Sequence, residues 1–225
     1  MGINIVNRID DKVKVRNVLI SVSDKFGLET FVPELLGLSP EIRIFSTGGT
    51  YGRLREILGS QADASLTQVS HYTGQPETQG GLVKTLDFKI YLGLLTETYN
   101  EAHQADLNRT GAVPIDMVVV NLYPFKATIE KDGVTVEQAR GNIDIGGPCM
   151  IRAAAKNLLR VASVVDPSDY AVILDEMRAS AGQLSLALRY RLARKAFDHT
   201  ATYDRTIADF LAAQPFDALQ HCYGG

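Results

Sequence analysis

Four short strings of this 225-residue sequence combine glycine, hydroxyls and charge in ways that suit anion chemistry. Ser21-Val22-Ser23-Asp24-Lys25 and Ser46-Thr47-Gly48-Gly49-Thr50 each close a β-branched run and lead into a segment of helical pattern. A helix start leaves backbone N–H groups without intrahelical acceptors, and glycine lets that backbone approach a ligand. Hydroxyls and Lys25 add further donors, so the two strings together read as a phosphate cradle. Each alone equally suits helix capping or a tight turn, which use the same residue types. Gly80-Gly81-Leu82-Val83-Lys84-Thr85 again sets glycines before a lysine and a hydroxyl, without the full Walker spacing. Asn142-Ile143-Asp144-Ile145-Gly146-Gly147-Pro148 sets a carboxylate beside two glycines, with an N-cap as the lesser, structural alternative for Asp144. It leads into Arg152-Ala153-Ala154-Ala155-Lys156-Asn157, whose two cations lie four apart on one helix face. A solvated basic face is the plainer reading there, although the alanines allow close packing and a lysine turned away from bulk water.

The elements that must position these strings follow from periodicity. β-branched runs at Val15 to Val22, Ile42 to Phe45, Met117 to Val120 and Val161 to Val165 alternate with helical patterns at Gly27 to Leu36, Thr50 to Leu58, Val134 to Arg140 and Tyr170 to Met177. That alternation predicts an α/β fold: a mainly parallel sheet in three layers with helices on both faces. The all-apolar start of MVVVNLYP predicts a central strand. Thr96 to Pro114, polar and without clear period, reads as an irregular excursion. Ser185 to Ala213 has neither proline nor glycine and carries apolar residues at helical spacing, predicting one long helix. At about 1.5 Å per residue such a helix exceeds roughly 40 Å, a length suited to packing across a partner subunit or leading into another domain. The chain reads as one domain over 1–225, with a core at about 14–184 and the long helix at about 185–213.

Composition narrows the functional classes. Hydrophobic residues are 45% and charged residues 22%, which is ordinary for a soluble globular chain. The charge is 23 basic against 26 acidic, or −3, with no basic block, so neither a nucleic-acid footprint nor a membrane-surface footprint is expected. The start MGINIVNRIDDKVKVRN lacks the apolar run of a signal peptide, and no stretch reaches the roughly 18 apolar residues of a span. A cytoplasmic location is the expectation. Cys149 and Cys222 show no CxxC spacing, and His71, His103, His199 and His221 are scattered, so neither a metal nor a nucleophilic cysteine is expected.

Six strings in order, SVSDK, STGGT, GGLVKT, NLYPF, NIDIGGP and RAAAKN, resemble those of the IMP cyclohydrolase domain of the bifunctional purine-biosynthesis enzyme, which has the methylglyoxal-synthase-like fold. The resemblance runs from about 14 to 213 and includes KAFDHTATYD at Lys195 to Asp204. It implies dehydrative closure of 5-formamidoimidazole-4-carboxamide ribotide to IMP, with neither a metal nor an organic cofactor. It also implies that a separate transformylase supplies the formylated substrate, and a homodimer is the expected assembly.

Carried over by motif, the resemblance places Ser21, Ser23, Lys25, Ser46, Thr47, Gly48, Gly49 and Thr50 around the ribotide phosphate. Lys84, Thr85, Asn121, Tyr123, Asp144, Gly146, Gly147 and Lys156 fall around the base. Lys84 and Lys156 are assigned to oxyanion stabilisation and proton donation, Asp144 to the base or orienting role, and Asn121 and Tyr123 to supporting hydrogen bonds. Where the family reads GGRVKTLHPKIHGGIL this chain reads GGLVKTLDFKIYLGLL. Leu82 thus replaces an arginine, with Lys89 or Arg152 as the expected substitute, and Asp87, Phe88 and Tyr91 replace His-Pro and His. A methylglyoxal synthase and a non-catalytic nucleotide-sensing module are the competing readings on the same fold.

Overall fold

Asn17–Val22 (β2) is the axis of the molecule, a strand buried on both faces with only Ser21 partly open. In a computed structural model, which describes residues 5–75 and 85–223, it is the middle of a five-stranded parallel sheet ordered β4-β3-β2-β5-β6. The other members are Arg43–Ser46 (β3), Leu66–Gln68 (β4), Met117–Asn121 (β5) and Ala162–Val164 (β6). A separate antiparallel ribbon pairs Lys12–Lys14 (β1) with Gln183–Ser185 (β7). The run MVVVN of β5 lies between β2 and β6, interior as its apolar pattern requires, while the middle place belongs to β2.

The helices are Leu28–Leu38 (α1), Gly48–Leu58 (α2), Ala62–Ser65 (α3), Val69–Thr73 (α4), Phe88–Leu95 (α5), Glu101–Thr110 (α6), Phe125–Ile129 (α7), Val136–Gly141 (α8), Gly146–Lys156 (α9), Tyr170–Ala179 (α10), Leu186–Ala213 (α11) and Phe216–His221 (α12). Side chains alternate across a strand, so Val18, Ile20, Val22, Met117 and Val119 meet α1, α2 and α10 on one face. Leu19, Val118 and Val120 meet α5, α9 and the middle of α11 on the other. The three-layer α/β architecture expected from periodicity is therefore present, and the long helix begins and ends within a residue of its expected bounds.

The excursion at 96–114 is the fold-level correction, because α6 occupies its middle. Leu107 is its one fully buried residue, so no apolar stripe exists for periodicity to detect. The helix is set instead by its ends: Asn100 accepts the His103 N–H at 3.2 Å, and Gly111 turns left-handed at φ 65°. The three-residue strands β1, β4 and β7 are likewise too short to show alternation.

Among the described residues, the most deeply buried cation fixes where α11 starts. Arg189 is 1% exposed, and its guanidinium donates to five backbone carbonyls: Leu158 at 3.0 Å, Asp11 at 3.2 Å, Leu184 at 2.5 Å, Asp10 at 2.9 Å and Leu159 at 3.0 Å. Its five N–H donors thus join the ribbon to the loop before β6. Replacing it with methionine strands those acceptors, so Arg189→Met should lower unfolding stability by about 3 kcal/mol or more, and Arg189→Lys should recover only part because an ammonium lacks the planar fork. Denaturant unfolding measures both, and a loss below about 1 kcal/mol for Arg189→Met would contradict this role.

Candidate active site at the carboxyl edge of the sheet

The strands β2, β3 and β5 all end at one edge, where open parallel sheets form their crevices. The register pairs Ile20 with Ser46 and Val22 with Asn121, so the turn after β2 lies between the ends of its two neighbours. After β3 the chain enters α2 almost at once, through Gly48 at φ 45°, a left-handed value that favours glycine.

The hydroxyls of this first wall divide into two sets. Ser46 Oγ donates to the Ile20 carbonyl at 2.7 Å, is fully buried and does not line the cleft. Thr50 Oγ1 accepts the Val22 N–H at 3.1 Å and donates to the Val22 carbonyl at 2.9 Å. Both hydroxyls therefore clasp β2 to its neighbours, and Thr50 lines the cleft while Ser46 does not. Ser21 and Thr47 share a hydrogen bond of 2.8 Å and do line the cleft, as do Ser23, Gly48 and Gly49. Lys25 Nζ donates to the Ser23 carbonyl at 3.1 Å, which folds a half-buried ammonium over the turn with two donors left for a ligand.

Asn121, at the end of β5, lines the cleft and also braces its wall. Its Oδ1 accepts the N–H groups of Ser23 at 2.6 Å and Asp24 at 2.9 Å, and its Nδ2 donates to the Asp24 carbonyl at 2.8 Å. The amide is thus engaged at both ends by the turn that carries Lys25. Tyr123, two residues on, is 57% exposed and lines the rim, which removes the reading of a core aromatic.

The second wall is the entry to α9. Asp144, one residue before the N-cap Ile145, accepts the Gly147 N–H on Oδ1 at 2.9 Å, so it caps the first turn of α9 beside any chemical role. Burial pushes its carboxyl above the ordinary aspartate range, opposed by the backbone N–H groups of Gly147 and Tyr123. The glycines follow from close approach: a Cβ at Gly146 would stand 2.6 Å from Thr85 Oγ1, and one at Gly147 would stand 2.6 Å from Asp144 Oδ2 and 2.7 Å from Leu122 Cδ2. The buried Thr85 and the carboxylate therefore pack directly on the first turn of the helix. Tyr203 of α11, which no motif argument singled out, accepts the backbone N–H of Asp144 at 2.8 Å. Its signal in the sequence was a tyrosine on the face of α11 that carries Leu192, Ala196, Ile207 and Phe210.

Between the walls lies a cleft of about 520 Å³ lined by Ser21, Ser23, Lys25, Thr47, Tyr123 and Asp144 among others. The N-termini of α2 and α9 both open on it, so its backbone presents donors and positive dipole ends. One end gathers hydroxyls and an ammonium; the other holds a desolvated carboxylate. Among the described residues no cluster of three His, Cys, Asp or Glu could hold a metal, and no helix is long and apolar enough to cross a membrane. A neighbouring cleft lies behind the Ser23–Asn121 wall, but its Lys195 is already held at 2.7 Å by both Asp166 and Asp169.

One expected residue lies outside the described residues, and another stands away from this cleft. Lys84, with Leu82, lies outside the described residues. Lys156 closes the last turn of α9 and is exposed, about 15 Å along the helix from its first turn by the rise per residue. The substitutes expected for the arginine at position 82 also lie elsewhere. Lys89 donates to the Tyr72 carbonyl at 3.2 Å, and Arg152 stands over the Phe197 ring at 5.7 Å. Asp87 is explained as the N-cap of α5, accepting the Lys89 N–H at 2.8 Å. Tyr91 is half-buried against Cys149, and burial raises its phenol.

Comparison with known proteins places this geometry. Residues 27–149 match the MGS-like domain family, and residues 154–223 match the family described as AICARFT/IMPCHase bienzyme. The chain is 48% identical over 201 residues to the bifunctional purine biosynthesis protein PurH of Magnetococcus marinus, covering 89% of this chain and 36% of that protein. It thus spans about a third of the length of that curated relative. The crystal structure of ForH superposes with a TM-score of 0.72 at 31% identity, over 88% of this chain and 99% of the other. The STGGT helix start and the DIGG carboxylate that line this cleft fall inside the MGS-like match, and the chain belongs to the MGS-like family as a homologue of the IMP cyclohydrolase region of PurH.

Proposed function

We propose that the chain is an IMP cyclohydrolase of purine biosynthesis, closing 5-formamidoimidazole-4-carboxamide ribotide to IMP with loss of water. The observation that carries the reading is the polarity of the cleft. Lys25, Ser21, Thr47 and the start of α2 form an anion end, and the desolvated Asp144 faces it from the start of α9. A ribotide has matching polarity, with a phosphate at one end and the reacting carboxamide and formamide at the other.

In the reaction the carboxamide nitrogen attacks the formyl carbon, and the new C–N bond gives a carbinolamine that leaves as IMP and water. Both reactants belong to one molecule, so holding them together supplies much of the acceleration. An amide nitrogen is a poor nucleophile, and Asp144, whose carboxyl is pushed up by burial, is suited to take its proton. Thr85 and the backbone N–H groups at the start of α9 steady the oxygens, and Lys84 donates to the formyl oxygen. Formyl transfer itself belongs in this reading to a separate transformylase. Lys156 reaches the cleft from a second copy of the chain or not at all, and we place it in the reaction as a residue of that copy.

EDTA-treated protein should convert the formylated ribotide to IMP without added metal or folate. Product no faster than the uncatalysed rate would leave a binding-only module as the better reading. Lys25→Ala should act through binding, raising KM roughly tenfold with kcat within about threefold, since a phosphate contact is held equally in ground and transition states.

Asp144→Asn should cut kcat on the order of 100-fold. It should also stabilise the fold near neutral pH. A carboxyl whose folded pKa is raised contributes its stability in full below the unfolded pKa and loses it as pH rises through the folded value. The melting temperature of the variant relative to the parent should therefore climb from acid to neutral pH, and a flat difference would contradict a desolvated Asp144.

Co-expressed Asp144→Asn and Lys156→Ala subunits, each inactive alone, should recover about a quarter of parental activity if pairing is random and each site draws on both copies. No recovery in mixed dimers would remove Lys156 from the reaction.

A further inference from the structure

We infer that Tyr203 is a positioning residue that acts through Asp144, which makes the long helix α11 part of the catalytic apparatus as well as a packing element. The inference rests on the reading of Asp144 as the base. Other backbone ties near Asp144 are local: Asn142 N–H bonds Ala139, Ile143 N–H bonds Arg140, and Gly147 N–H bonds Asp144 itself. The Asp144 N–H instead reaches 59 residues along the chain to the Tyr203 phenol oxygen at 2.8 Å. The Tyr123 N–H meets the Asp144 carboxyl from the segment after β5, whereas the Tyr203 phenol is what ties the Asp144 backbone to a separate element.

The phenol is well placed to hold that position. Tyr203 is 9% exposed, and its ring stands edge-on to Phe125 at 6.2 Å, which in turn stands edge-on to Phe210 at 5.8 Å. Phe125 begins α7 directly after Asn121-Leu122-Tyr123-Pro124, the segment that braces the opposite wall. One tyrosine therefore joins two elements: its oxygen holds the backbone of the base, and its ring packs against Phe125 at the start of the helix that follows the Asn121–Pro124 segment. A displacement of Asp144 by a fraction of an ångström matters, because proton transfer needs a heavy-atom approach of about 2.6–3.2 Å.

Tyr203→Phe removes the oxygen and keeps the ring. It should lower kcat roughly five- to tenfold, about the worth of one neutral hydrogen bond, with KM for the ribotide within about twofold of the parent. Phe210→Leu, which thins the same aromatic cluster without touching Asp144, should lower the melting temperature and leave kcat within about twofold. In an Asp144→Asn background Tyr203→Phe should add no further loss beyond about twofold, since a residue acting through Asp144 has nothing left to position. Parental turnover tests the cyclohydrolase reading separately. Given that turnover, three results would each overturn the inference: an unchanged kcat in Tyr203→Phe, an equal loss in Phe210→Leu, or full additivity with Asp144→Asn.

Discussion

The side-chain amide of Asn121 is the interaction on which the site depends, because it converts the end of a buried sheet into a shaped turn. Residues beyond the last ladder bond of a parallel strand have lost their backbone partners, and they need others if they are to hold one conformation. Register sets Asn121 opposite Val22, and from there its carbonyl oxygen takes two successive N–H groups of the β2 turn while its NH2 returns a bond to the same turn. An aspartate could accept but not donate, and a leucine of similar shape could do neither. Lys25 and Ser23 stand where they do because that brace orders the backbone beneath them.

The opposite wall solves a different problem, since it must keep a carboxylate out of water without leaving it unsupported. Gly146 and Gly147 let Thr85 and Asp144 lie against the first helical turn at distances a Cβ would forbid. The same packing that excludes solvent raises the carboxyl's proton affinity, and the capping N–H of Gly147 limits the rise. This arrangement sacrifices some stability of the folded state near neutral pH, as functional sites commonly do. The compensation is spread across the core, where Arg189 and the aliphatic faces of β2 and β5 are satisfied on every side.

Residue types and their order made the fold class, the long helix and the location of the cleft legible. What they could not show was the direction of each side chain. Ser46, Thr47 and Thr50 are chemically alike and nearly adjacent, yet Ser46 and Thr50 spend their hydroxyls on β2 while Thr47 faces the cleft with Ser21. That division depends on interstrand register, which no local pattern records. Tyr203 was illegible for the same reason, its partner lying 59 residues away. Arg189 was missed because a buried cation bonded only to carbonyls has no acidic partner in the sequence to announce it. The helix α6 was missed because caps rather than an apolar stripe define it.

A carboxylate that shares a cleft with the phosphate of the proposed substrate requires that the two negative charges be kept apart and separately compensated. Coulomb repulsion between unit charges falls with distance and with effective dielectric, so placement at opposite ends of the cleft is the first remedy. The second is that each charge faces its own helix start, α2 for the anion end and α9 for Asp144, whose dipoles both favour negative charge there. Too strong a compensation at α9 would hold Asp144 as a stable anion with little proton affinity, and too little would leave it protonated and unable to accept. Burial raises the carboxyl's proton affinity, and the cap at Gly147, with the Tyr123 N–H assisting, opposes that rise. The short packing distances at Gly146 and Gly147 are therefore as much a part of the chemistry as the carboxylate itself.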